Sequence, residues 1–161
     1  MPRTFDNLLQ SLGAGFQKLL GGETPEQQHS RETLVLQQSV AALLYETARV
    51  DHDVKESDLR AAADSLRELF ALPEEQAQAL LLHAAQPHQR PTSYHPLVKM
   101  INRRFSAEQK HRLIEHMWRV AHADNEVDMY EDHIVRKIAE LLYVPHSEFI
   151  TAKHRARGHN R

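Results

Sequence analysis

The sequence predicts an all-α fold, a helical bundle of about seven to eight helices with an internal pseudo-repeat of two hairpins. Three observations carry this. Apolar residues recur at helical spacing through most of the chain. No segment sustains period-2 alternation. Only 5 glycines and 7 prolines interrupt the 161 residues, a length suited to one hydrophobic core.

Phe5, Leu8, Leu9, Leu12, Phe16, Leu19 and Leu20 form the first stripe, an amphipathic helix over residues 5–20. Gly21-Gly22 end it, and the polar run through Ser30 reads as a flexible connector. Leu34, Leu36, Val40, Leu43, Leu44 and Ala48 then mark a long helix to about Val50. Beyond the turn Asp51-His52-Asp53-Val54, a third helix buries Leu59, Leu66, Leu69 and Phe70. It is expected to stop near Leu72, since proline disfavours helix in the residue before it. Pro73-Glu74-Glu75 opens a fourth helix, carrying Leu80, Leu81 and Leu82.

Gln86 to Pro91 is a break. Thr92 or Ser93 is expected to cap a fifth helix through Leu97, Val98, Met100 and Ile101. Ser106 with Gln109 is a capping-box pattern for the sixth, which buries Leu113, Ile114, Met117, Trp118 and Ala121. The turn Asp124-Asn125-Glu126-Val127 leads to a seventh with Ile134, Val135, Ile138, Leu141 and Leu142. A last, short helix starts at Val144-Pro145-His146-Ser147. The chain thus divides into an N-terminal helix and linker (1–30), a helical domain (31–157) and a basic tail (158–161).

Formal charge is −2, which gives no global attraction to nucleic acid or membrane. The acids are concentrated: residues 46–75 and 115–132 each carry a local charge of −5. There is no cysteine, so disulfides, thiolate nucleophiles and cysteine metal sites are excluded. The N-terminus lacks the charged-then-apolar pattern of a signal peptide, and a cytoplasmic location is the expectation. No Gly-x-Ser-x-Gly, P-loop or Rossmann glycine turn is present.

An internal repeat underlies the two acidic turns. With Asp51 aligned on Asp124, 73 residues further on, Leu44 meets Met117, Tyr45 meets Trp118 and Ala48 meets Ala121. Asp53 meets Glu126, Val54 meets Val127 and Asp58 meets Glu131. Leu72-Pro73 matches Val144-Pro145 after a one-residue slip.

The segments Ala48-Arg49-Val50-Asp51-His52-Asp53-Val54 and Val120-Ala121-His122-Ala123-Asp124-Asn125-Glu126-Val127-Asp128-Met129-Tyr130-Glu131 resemble the TerB-like, tellurite-resistance-associated family. The likeness spans roughly residues 32–156. It implies a bundle of about seven helices, a link to bacterial stress systems, and metal binding by acidic residues. By position those residues are Asp51, Asp53, Asp58, Asp124, Glu126 and Glu131. His52 and Asn125 stand where the family often has glycine.

Hard cations such as Ca²⁺ or Mg²⁺ take several oxygen ligands in one concavity, and each acidic turn offers up to three carboxylates. The turns are not EF-hands: the positions that need Gly and Glu hold Glu56 and Ala62 in one, Met129 and Val135 in the other. The competing reading is structural, with the acids capping helices and answering the helix dipole. Zn²⁺ held by His122, Asp124 and His133 is a weaker expectation. The expected function is a non-catalytic binding or adaptor module with a protein partner. The alternatives are a metal-dependent enzyme using the same acids, or a membrane-peripheral scaffold using residues 5–20. The basic tail reads as a solvated helix end rather than a nucleic-acid contact.

Overall fold

The structure, a computed structural model, describes residues 22–49, 53–124 and 129–159. Among these residues there are seven α-helices, one short 3₁₀ turn and no strand. The helices are α1 (Pro25–Arg49), α2 (Glu56–Phe70), α3 (Glu74–Ala85), α4 (His95–Arg104), α5 (Ala107–Ala121), α6 (Met129–Leu141) and α7 (His146–His159). The amphipathic segment expected over residues 5–20 lies outside the described residues.

Two compact units are distinguished, residues 1–35 and 36–161. In the first, the described part is the start of α1, and it corrects the expected connector: residues 25–30 are helical. Local chemistry explains this. Thr24 Oγ1 accepts from the Gln27 backbone N–H (3.2 Å), and Gln27 Oε1 accepts from the Thr24 N–H (3.1 Å). That reciprocal pair is a capping box, with Pro25 supplying the fixed φ that suits a first helical position.

The second unit holds the core. Val40, Leu43 and Leu44 from α1, Leu66 from α2, Ile101 from α4, Leu113 and Trp118 from α5, and Ile138 from α6 are fully buried. Helix α5 packs most extensively on α7, then on α2, and α2 pairs with α3. The sequence-predicted capping box opens α5: Ser106 Oγ accepts from Gln109 N–H (3.2 Å), and Gln109 Oε1 from Ser106 N–H (2.8 Å).

Helices α2 and α6 end in one way. Ala71 (φ 53°) and Tyr143 (φ 59°) adopt the left-handed conformation just after α2 and α6. The N–H groups of Leu72 and Val144 then reach back to Arg67 O (3.3 Å) and Ala139 O (2.9 Å). The helices therefore stop at Phe70 and Leu141, the first of them two residues ahead of the expected Leu72. Asn102 Nδ2 donates to Leu141 O (3.0 Å), satisfying one more orphan carbonyl.

Two further expectations are corrected. Helix α4 begins at His95 after Tyr94, and no side chain of Thr92 or Ser93 caps it. Helix α7 is not short: it runs 14 residues, so Gly158 and His159 are helical rather than tail. Its buried residues Phe149, Ala152 and Ala156 hold this length against α5. No described helix is long and apolar enough to cross a membrane.

Leu66→Ala removes a fully buried side chain and should cost about 2–5 kcal/mol in urea unfolding. Leu82→Ala, at a 67% exposed position, should change stability by no more than ~0.5 kcal/mol. Equal losses for the two would contradict this core.

Candidate functional site

The start of α2 follows the first acidic turn. Asp58 sits in its first turn, and its carboxylate accepts from the Lys55 backbone N–H at 3.0 Å. Asp58 is buried, and so is Glu131 in the first turn of α6. An acid in this place offsets the orphan N–H groups and the positive end of the helix dipole.

A long-range contact joins the two turns. Lys55 Nζ lies 2.9 Å from Asp124 Oδ2, which closes α5 against the entry to α2. The Asp124 side chain is only 14% exposed and that of Lys55 50%, so the pair is half in solvent and worth at most about 1 kcal/mol. Its importance is geometric: an ammonium just ahead of α2 stands against the carboxylate that follows α5.

Of the six sequence-predicted acids, Asp51 and Glu126 lie outside the described residues. Asp53 is exposed. Among the described residues no three His, Asp or Glu side chains gather as a metal would require. Asp53, Asp58, Asp124 and Glu131 therefore do not form a site on their own. The same finding sets aside Zn²⁺ on His122, Asp124 and His133, since all three are described and do not converge. His133 is exposed, whereas His122 folds back on its own helix.

His122 closes α5. Its Nδ1–H donates to Trp118 O at 2.7 Å, and its ring lies 5.7 Å from the Trp118 ring. Nε2 is buried without a hydrogen-bond partner among the described residues. Burial holds the imidazole pKa below its usual range, with smaller downward pushes from Arg157 and Lys153. The bond to the Trp118 carbonyl and the charge of Asp124 oppose that shift.

A second polar cluster escaped the sequence reading. His116 Nδ1 shares a 2.9 Å hydrogen bond with Ser65 Oγ, and its Nε2 lies 3.5 Å from Glu68. Arg119 reaches Glu68 (2.9 Å) and Glu115 (3.0 Å). Serine, histidine and carboxylate fall in the order of a nucleophilic triad, yet Ser65 is 1% and His116 3% exposed. Sealed in this way, the group ties α2 to α5 and cannot meet a substrate. Its one sequence signal is the position of His116 beside Leu113, Met117 and Val120 on the buried face of α5.

The described residues form an all-helical bundle, which defines the class as an all-α helical domain. Residues 37–154 match the family described as "Tellurite resistance protein TerB", and the chain belongs to that family. Neither a curated protein nor a solved structure matches it.

Burial, reinforced by the Arg119 charge and opposed by Glu68, lowers the His116 pKa from 6.5 to about 4. The unfolded chain takes up this proton first as pH falls. The ring's contribution to stability is complete above pH 6.5 and is lost between pH 6.5 and 4, on the order of 3 kcal/mol. Urea unfolding at about pH 7 and about pH 4.5 should show a smaller loss for His116→Asn than for the parent. Identical losses would remove His116 as the source.

Proposed function

We propose that this chain is a non-catalytic binding module in a tellurite-resistance-related stress system, and that its two acidic turns take a divalent cation. The observation that carries the reading is the Lys55–Asp124 contact. A positive charge already stands against a mostly buried carboxylate. A hard cation entering there competes with the ammonium for Asp124 and draws on the carboxylates of Asp51 and Glu126 in the same turns. Ca²⁺ and Mg²⁺ suit an all-oxygen set better than Zn²⁺ does.

Two further features favour a module over an enzyme. Ser65 and His116, the would-be nucleophile and base, are buried and committed to holding two helices together. Next to the second turn, Met129 and Tyr130 are 76% and 60% exposed, and they offer apolar surface to a protein partner. In this reading the cation orders the turn and the turn presents that surface.

Calorimetric titration of the full chain with Ca²⁺ and Mg²⁺ tests the proposal. Saturable binding is expected, and it should be lost in Asp124→Ala/Glu131→Ala. Lys55→Ala removes the competing ammonium and should tighten binding by roughly fivefold, the worth of a half-exposed ion pair. Absence of saturable heat in both the parent and Lys55→Ala would leave the acids as helix caps only.

A further inference from the structure

We propose a second site, for a phosphomonoester group, in the polar pocket where the end of α1 meets the 90–95 segment and α6. The pocket holds about 430 Å³, inside the usual range for small-molecule sites of about 300–1,000 Å³. Arg49, Arg90, Lys137, Tyr94 and Glu46 supply its chemistry. None of them belongs to the acidic turns, so this site stands or falls independently of the cation reading.

The charges in the pocket do not balance. Glu46 is buried, and each of its oxygens meets one guanidinium: Oε2 to Arg49 Nη2 at 3.2 Å, Oε1 to Arg90 Nε at 3.3 Å. One carboxylate thus holds two arginines in place and neutralises one of them. Arg90 uses only Nε for this, and its two Nη groups make no hydrogen bond or ion pair among the described residues. Arg49 Nε is buried and likewise has no hydrogen-bond partner. Lys137 adds a third cation, placed 5.7 Å over the Tyr94 ring and without an ion pair among the described residues. Three cations face one carboxylate in a chain whose formal charge is −2. Such an excess is local, and it is matched by a dianion.

The shape of the donor set favours phosphate over carboxylate. A planar carboxylate has two oxygens, and the one in the pocket, Glu46, already spends them on two different guanidiniums. The remaining donors come from three separate elements: Arg49 on α1, Arg90 before α4, and Lys137 on α6. They approach from different directions, as the oxygens of a tetrahedral dianion require. The first turn of α4, ten residues long and uncapped by any side chain, borders the pocket at Tyr94 and His95 and adds its positive dipole end. A phosphate fills only part of the volume, which leaves room beside the Tyr94 ring and Leu141 for the moiety that carries it.

Titration calorimetry of the full chain with inorganic phosphate reads this directly. Saturable binding is expected, weakened roughly tenfold by Lys137→Gln and again by Arg90→Gln, as for loss of a charge-assisted hydrogen bond. Lys137 holds no structural ion pair among the described residues, so its variant keeps the fold. Lys55→Ala, outside the pocket lining, should bind phosphate as the parent does. Two parallel arms identify the carrier: glycerol 3-phosphate in solution, and sedimentation with phosphatidylcholine vesicles containing phosphatidic acid. Tighter binding in one arm, lost in Lys137→Gln/Arg90→Gln, assigns the group to a soluble ester or to a lipid headgroup. No saturable binding to any of the three probes, or binding unchanged in that double variant, would overturn the proposal.

Discussion

Helix α5 must satisfy neighbours on several sides at once, and the other helices are arranged by that demand. One face sends His116 and Arg119 to Ser65 and Glu68 of α2. Another carries Trp118, whose ring lies 5.3 Å from Phe149 of α7 and beneath Lys153 Nζ at 4.8 Å. Full burial of an aromatic side chain supplies more stabilisation than any surface ion pair, so Trp118 anchors the contact and the charges around it set its direction. Lys153 also reaches Asp132 at 3.2 Å, which ties α6 into the same corner. The buried Trp118 Nε1 has no hydrogen-bond partner among the described residues, a cost that dense packing outweighs.

Charge is used in two ways. Between Lys55 and Asp124 it joins groups 69 residues apart in sequence. Around Glu46 it creates an excess, because one carboxylate cannot neutralise Arg49, Arg90 and Lys137 together. The Lys55–Asp124 pair is one charge against one and reads as a clasp. The second does not balance, and an unbalanced cluster of cations in a concave site is an invitation to an anion. The acidic runs were conspicuous in the sequence, whereas the cationic pocket was not, because its members are scattered over about ninety residues.

The all-α class and the family were legible because both rest on local pattern. Apolar spacing marked each helix from α1 to α7, and the Ser106–Gln109 box was realised atom for atom. The same pattern at Thr24–Gln27 was overlooked, since the surrounding residues are polar and Leu34 and Val35 are the first apolar pair after it. A capping box can open a helix whose first turns bury nothing. The helix stops were read from prolines, yet the backbone turned earlier, through left-handed Ala71 and Tyr143. Neither is glycine, so neither announced itself.

By itself, the sequence determined the helical periodicity, the acidic composition of the two turns and the absence of cysteine chemistry. These are properties of residues and their near neighbours, and short-range spacing is enough to express them. Only the tertiary structure decided which distant groups meet. It set Lys55 on Asp124, Ser65 on His116, and the guanidiniums of Arg49 and Arg90 on one buried carboxylate. Such pairings depend on how helices cross and on what water is excluded between them. A side chain's pKa, exposure and partner are fixed by that packing, as the lowered pKa of His116 shows, and no local pattern encodes them.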